Sequence, residues 1–270
     1  MDKKQLLANT THSDYEVVQA AWAALGTLAQ TDPEVRKAAL ANTTHSRRAM
    51  NFRFSAETDV GMHRVENEDA LIVDVCEDPG GNRGVFVVAD GMGGHREGAK
   101  AAQEASRAFA RAIIADKTPS ESAQAANDAV MAIEGRFSYG SPGSTLTALI
   151  LSDAGAQIVH VGDSEAFRLT AAGEFEKITR DHASGWGLDN FCGLGANFGG
   201  FFSDVVGRPA EVGDKFLLAT DGLTKHVKAE ELNQIMRRVM IEDLAMHLVQ
   251  LANERGGCDN TTIIAVEVIP

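Results

Sequence analysis

The 270-residue chain reads as an α+β protein whose sheets carry their helices on the outer faces. Two observations predict this. From residue 52 onward, short runs rich in Val, Ile, Leu and Thr follow one another, without the strand-by-strand helix alternation of a βαβ protein. Two pairs of helical segments interrupt those runs, and strands in groups followed by helices in pairs read as stacked layers.

Taken in order, strands are expected at 70–75, 84–89, 144–151, 157–161, 166–170, 215–220 and 261–268, each apolar or alternating and flanked by polar turns. The first helical pair is expected at 97–115 and 120–137, dense in alanine with longer apolar residues at helical spacing. The second is expected at 229–240 and 242–254. Residues 183–213 are rich in Gly and Phe, lack periodicity, and read as a loop-like flap.

The first fifty residues have a different texture. Leu7 to Ser13 (LANTTHS) recurs unchanged as Leu40 to Ser46. Between the copies, Val17, Val18, Ala21, Trp22, Leu25 and Leu28 fall on one helical face, and Asp32-Pro33 starts a second helix. The pattern resembles helical solenoid repeats. One or two such units cannot bury a core, since roughly three must stack. Two domains are therefore expected: a helical repeat-like segment at 1–50, docked on the rest of the chain or on a protein partner, and a larger domain at 51–270.

Composition excludes several functions. The formal charge of −13 opposes nucleic-acid binding and clamping to anionic membranes, both of which need a basic face. No apolar run approaches the ~20 residues that would span a bilayer. The N-terminus turns polar too soon for a signal peptide. Cys76, Cys192 and Cys258 are too far apart for a disulfide framework or a metal knuckle, so a cytoplasmic protein is expected. Cys258, beside Asp259, is read as a packing residue.

Acidic residues gather at strand ends, where a site can be assembled from distant parts of a chain. Arg64-Val65-Glu66-Asn67-Glu68-Asp69 precedes the first strand, and Asp90-Gly91-Met92-Gly93-Gly94-His95 follows the second. Gly162-Asp163-Ser164, Asp221-Gly222-Leu223 and Asp259-Asn260-Thr261-Thr262 occupy three more ends. Any one of these could be only a turn or a helix cap. The Gly-rich turn is no Walker loop, because no Gly-Lys-Ser/Thr follows. Taken together, Asp90, Asp221 and Asp259 would repel one another unless cations compensate. An all-oxygen set of carboxylates and a backbone carbonyl suits Mg²⁺ or Mn²⁺ better than Zn²⁺.

The ordered motifs RVENED, VVADGMGGH, GST, VHVGDS, ITRDH, LLATDGL and DNTT resemble the PPM/PP2C family of metal-dependent protein phosphatases across about residues 52–268. Met92 and Asn67 resemble its bacterial branch. The resemblance implies a four-layer α-β-β-α sandwich of two antiparallel sheets flanked by helices. It implies a protein-serine/threonine phosphatase acting in signal transduction on a phosphorylated protein, through a water bridging two Mn²⁺ or Mg²⁺ ions. Asp90 would bridge the ions, Asp221 and Asp259 would complete one, and the Gly91 carbonyl would serve the other. Asp163 would ligate a third, weaker ion. Glu68 and Asp69 would orient waters on the metals, and Arg64 would grip the phosphate bidentately. Arg64 and Asp90 are thus the residues it places in the chemistry.

Three departures bear on detail. Glu165 follows Gly162-Asp163-Ser164 where the family usually has Arg, and Arg168 comes later. Met92 stands where eukaryotic members carry a His, leaving water, His63 or His182 to protonate the leaving group, each His being read first as structural. The flap at 183–213 is short. A competing class is a weakly active or inactive PP2C-like binding protein, but degenerate members lose the acids, and Glu68, Asp69, Asp90, Asp221 and Asp259 are all present. A two-metal nuclease fails for want of a basic stripe.

Overall fold

The computed structural model describes residues 51–78, 81–92, 96–133, 142–184, 187–195 and 200–270. The segment 1–50, with its repeat and expected helices, lies outside the described residues, as do Gly93, Gly94, His95 and the end of the helix expected at 120–137. In chain order the strands begin with β1 (Asn51–Asp59), β2 (Asp69–Asp78), β3 (Gly81–Met92), β4 (Gly143–Ser144), β5 (Leu146–Ser152), β6 (Gly155–Val161) and β7 (Glu165–Leu169). They continue with β8 (Phe175–Lys177), β9 (Ala183–Ser184), β10 (Gly187–Leu188), β11 (Asp204–Arg208), β12 (Lys215–Ala219) and β13 (Thr261–Ile269). The helices are α1 (Arg96–Ile114), α2 (Pro119–Met131), α3 (Asp221–Thr224), α4 (Ala229–Arg238) and α5 (Ile241–Glu254).

Two antiparallel sheets form, in the orders β1-β13-β12-β7-β8 and β11-β6-β5-β3-β2, with β4 added beside β3. The central strands β3, β5 and β12 are apolar on both faces because both faces are covered. In β3, Phe86 and Val88 face the other sheet, while Val85 and Val87 face the helices. In β12, Phe216 and Leu218 point inward and Leu217 and Ala219 outward. The inner cluster joins Phe54, Phe86, Leu149, Ile158, Phe216 and Ile264 across the two sheets. Phe86 sits there fully buried and edge-on to Phe52 and Phe54, at ring distances of 5.5 and 5.7 Å. Burial of one such side chain contributes roughly 1.5–3 kcal/mol.

The outer layers are helical. In α1, Ala101, Ala105, Phe109 and Ile113 recur at helical spacing and are buried against Val85 and Val87, the alanines allowing close approach to the sheet. Thr118 starts α2 with a reciprocal capping box to Glu121 and Pro at the first turn, the arrangement its sequence TPSE encodes. Leu244, Leu248 and Ala252 of α5 pack on Leu217, Ile263 and Ala265 of the other sheet. The expected four-layer α-β-β-α sandwich is what the chain forms.

The differences have physical reasons. β1 was not expected as a strand, yet it pairs with β13 through nine register positions from Asn51↔Ile269 to Asp59↔Thr261. Its mixed run NFRFSAETD is held by that long-range pairing more than by its own composition. The segment 183–213 is not all loop: β11 pairs antiparallel with β6 as an edge strand, and an edge strand with exposed Val205 carries little periodic signal. Cys258 is exposed instead of packed, with its Sγ 3.1 Å from His226 Nε2.

Antiparallel pairing brings the end of β3, the β6–β7 turn, the end of β12, and the starts of β2 and β13 to one end of the sandwich. The acidic motifs occupy that end.

Candidate active site

Each acid is set in place by backbone geometry. Asp69 and Asp90 face one another in register across β2 and β3. Thr145 fixes the backbone of Asp90 near the end of β3 from both sides: its Oγ1 accepts from Asp90 N at 2.8 Å, and its N–H donates to Asp90 O at 2.9 Å. Gly91 cannot carry a side chain, because a Cβ there would lie 2.1 Å from Gly98 O and 2.6 Å from Glu68 O. Asp163 follows Gly162, whose φ of +106° makes the sharp turn out of β6. Asp221 opens α3 immediately after β12.

Asn260 ties the loop carrying Arg64 to the start of β13. Its Nδ2 donates to Val60 O and Glu66 O at 2.9 and 3.0 Å, and its Oδ1 accepts from Glu68 N at 2.8 Å. Thr220 links two acidic strand ends, donating to Asp69 Oδ2 at 2.9 Å and accepting from Thr262 N at 2.9 Å. Thr145, Thr220 and Asn260 hold the site's backbone; as small polar residues in the GST, LLATDGL and DNTT motifs they carried no separate signal of that role.

These elements enclose a cavity of about 290 Å³ lined by Arg64, Glu68, Asp90, Gly91, Asp163, Asp221 and Asp259, together with Met92, Thr145 and Leu188. Of the residues expected at the site, only Asp69 is not in the lining; it is buried and bonded to Thr220. The cations lie among the acids. Arg64 Nη2 is 2.8 and 3.0 Å from the two oxygens of Asp259, and Nη1 is 3.9 Å from Glu68 Oε2. Lys225 Nζ is 2.7 Å from Asp221 Oδ2 and 2.7 Å from Asp259 Oδ2. Sequence reading missed Lys225, which looks like any solvated lysine on a helix.

The electrostatics follow from crowding. Burial, then the charges of Asp69, Asp221, Asp163 and Asp259, raise the Asp90 carboxyl well above the usual range. Burial pushes Asp69 up to about 7 against the pull of hydrogen bonds from Thr262 and Thr220, with Asp221 and Asp259 adding to the rise. Burial, with Asp221 next, raises Asp163 to about 6. For Asp259, burial is outweighed by Lys225 and Arg64, and its pKa falls.

The remaining candidates lie outside the cavity lining. His182 is buried and engaged at both ring nitrogens: Nδ1 accepts from Asn190 Nδ2 at 3.0 Å and Gly162 N at 3.3 Å, and Nε2 meets Asp204 Oδ2 at 3.2 Å. It supports the Gly162 turn and does not line the cavity. His63 is exposed on the Arg64 loop and does not line it either. Arg168 is turned away, bound to buried Asp214 at 2.7 Å, and Glu165 pairs with Lys177 at 2.9 Å.

Among the described residues, no three acidic, His or Cys side chains are closed into a ready-made ligand shell. Two observations nevertheless fit hard divalent cations. Asp69 Oδ1 and Asp221 Oδ1 are buried without a hydrogen-bond partner, and an unsatisfied buried carboxylate oxygen is costly unless a cation meets it. The lining donors are carboxylates, a hydroxyl and backbone, with neither thiol nor imidazole, which disfavours zinc.

Comparison with known proteins agrees with this geometry. A family model described as Protein phosphatase 2C matches residues 63–247. The serine/threonine protein phosphatase PstP of Mycobacterium tuberculosis is 28% identical, the match covering 81% of this chain and 45% of PstP, so the chain spans about half of that relative's length. The serine/threonine phosphatase stp of Listeria monocytogenes is 29% identical, with 78% of this chain and 93% of that protein covered. The crystal structure of the catalytic domain of PstP in complex with two manganese ions superposes with a TM-score of 0.68 at 26% identity, over 81% of this chain and 99% of that one. With the family model spanning most of the chain and the carboxylate cavity at the shared end of both sheets, the chain belongs to the protein phosphatase 2C family.

Proposed function

We propose that this chain is a metal-dependent protein phosphatase that hydrolyses phosphoserine and phosphothreonine on protein substrates. Mn²⁺ or Mg²⁺ would be held by Asp90, Asp221, Asp259 and the Gly91 carbonyl, with Asp163 for a third ion. The observation that carries this reading is the convergence of four aspartates and Arg64 on one cavity, with buried carboxylate oxygens at Asp69 and Asp221 left without hydrogen-bond partners. Bound there, the ions would supply the dense positive charge that activates water near neutral pH and neutralises phosphoryl oxygens.

The chain's own residues do the positioning. Arg64, half-exposed at the rim and already turned toward the acids, presents a guanidinium fork to an incoming phosphate dianion. Glu68 and Asp69 orient water from behind the acids, Asp69 being fixed by Thr220. Asn260 holds the Arg64 loop in register with Asp259, so the phosphate grip and the acids keep a constant separation. Cations at the acids also reconcile a chain of charge −13 with an anionic substrate. A cytoplasmic setting fits three cysteines too far apart in the chain for a disulfide framework, and residues 1–50, with their repeat, are the segment proposed to meet a protein partner.

Phosphate release from a phosphothreonine peptide tests the reading, with Mn²⁺ and with chelator. Wild type should turn over only with metal, and Asp90→Asn should lose about 10³-fold or more in kcat, the scale of removing a main transition-state electrostatic contact. Metal-loaded, folded wild type without turnover would overturn it for this substrate class.

A further inference from the structure

Lys225 bears directly on how the acids hold ions, and the inference that follows rests on the metal-dependent reading above. Its backbone N–H donates to Asp221 O at 2.9 Å, one helical turn on, so the side chain folds back over the acid that opens α3. Its ammonium then bridges Asp221 Oδ2 and Asp259 Oδ2, at 2.7 Å from each. Those oxygens belong to two of the acids proposed as ligands. An ammonium has only donors to offer, so it uses the same lone pairs that a divalent cation needs.

The bridge is both tight and escapable. Two charge-assisted contacts of 2.7 Å are short for an ammonium and a carboxylate. The side chain is nonetheless 42% exposed, leaving a way out to solvent on its four-carbon stem. It also meets the need only partly: Asp221 Oδ1 stays buried without a partner. One monovalent group compensates a site that a divalent ion would compensate more fully.

We infer that Lys225 is a built-in counter-ion that closes the Asp221–Asp259 pair in the metal-free protein, and that a divalent cation enters by displacing it. Metal binding is then an exchange, in which the affinity of the acids is reduced by the contact the lysine must give up. The same contact keeps the acids from driving each other apart before metal arrives. A lysine that merely decorated the surface would change neither property, since exposed ion pairs contribute ~0–1 kcal/mol.

The test needs no substrate. Calorimetric titration of Mn²⁺ into metal-free full-length protein should show Lys225→Met binding about tenfold more tightly than wild type, equivalent to ~1.4 kcal/mol. Lys225→Arg, which keeps the charge, should stay near wild type. Without metal the Met variant should melt below wild type, and saturating Mn²⁺ should close that gap. Should the Met variant fail to fold, wild type alone still decides the matter. Labelling of Lys225 with an amine-reactive reagent, read by peptide mass spectrometry, should rise several-fold when Mn²⁺ is added. Equal or weaker Mn²⁺ binding by the Met variant, or labelling that is unchanged or falls, would overturn the exchange while leaving the phosphatase reading intact. Absence of any Mn²⁺ binding by wild type would overturn the metal-dependent reading itself.

Discussion

Asp214 and Asp221 flank the same strand, β12, one at each end, and their surroundings differ completely. Asp214 is 1% exposed and its carboxylate is fully used: Arg168 Nη2 and Glu211 N donate to Oδ2 at 2.7 and 3.0 Å, and Ala171 N donates to Oδ1 at 2.9 Å. Asp221 faces Asp90, Asp163 and Asp259, and its Oδ1 has no partner. The arginines divide in the same way. Arg168 lies within the protein against Asp214 and Glu176, while Arg64 stands half-exposed at the cavity rim. At one end of the strand a buried carboxylate is met on both oxygens by donors of the protein; at the other a carboxylate oxygen is left for something else to meet. Unmet electrostatic need of this kind is a stability cost borne for function.

The largest effect is expected at the Asp214 end. Asp214→Ala leaves the Arg168 guanidinium with only Glu176, at 3.6 Å, and should cost about 3–5 kcal/mol in urea unfolding. That loss should be the same with and without Mn²⁺. A variant within 1 kcal/mol of wild type would show the pair to be no more than a surface contact.

A second, smaller effect concerns the histidine pair under the Gly162 turn. His160 is buried, its Nδ1 2.9 Å from Thr147 Oγ1 and its Nε2 3.1 Å from Arg180 O, and its ring lies 4.7 Å from that of His182. Burial, then the neighbouring His182, lowers its pKa from 6.5 to about 4. A depressed histidine pKa means that the unfolded chain takes up the proton first. Stability should therefore be full above pH 6.5 and fall as pH drops from 6.5 to 4, by on the order of 3 kcal/mol. Urea midpoints between pH 7.5 and 4.5 would show it, and His160→Gln should flatten that part of the slope. An unchanged slope in the variant would assign the acid sensitivity to other groups.

Much of this was legible in the chain. The layered fold showed in the grouping of strands and helices, and the acids of the cavity stood out because each follows or precedes a strongly apolar run. What sequence could not separate was two kinds of aspartate. Asp214 and Asp221 both sit beside the run Phe216-Leu217-Leu218-Ala219, and only tertiary pairing gives Arg168 to one and leaves the other short. Lys225 was hidden for a similar reason: its importance lies in reaching across to Asp259, thirty-four positions away in the chain. β1 escaped notice because its partner β13 is at the far end of the domain, and local composition does not encode so distant a register. Cys258 has no cysteine-phosphatase spacing after it and reads as a packing residue, but the turn before β13 presents it to solvent beside His226.

The most direct test of the contrast between the two ends is thermal unfolding at pH 8, with and without Mn²⁺, of wild type and Asp90→Asn. Asp90 lies among Asp69, Asp163, Asp221 and Asp259, so removing its charge should relieve repulsion in the metal-free protein. A gain of about 1 kcal/mol, or roughly 2–4 °C in a domain of this size, is expected, together with loss of most of the Mn²⁺ stabilisation seen in wild type. An Asp90→Asn protein that melts lower without metal, and still gains as much from Mn²⁺ as wild type does, would contradict the view that this end of the sandwich is strained for the sake of binding cations.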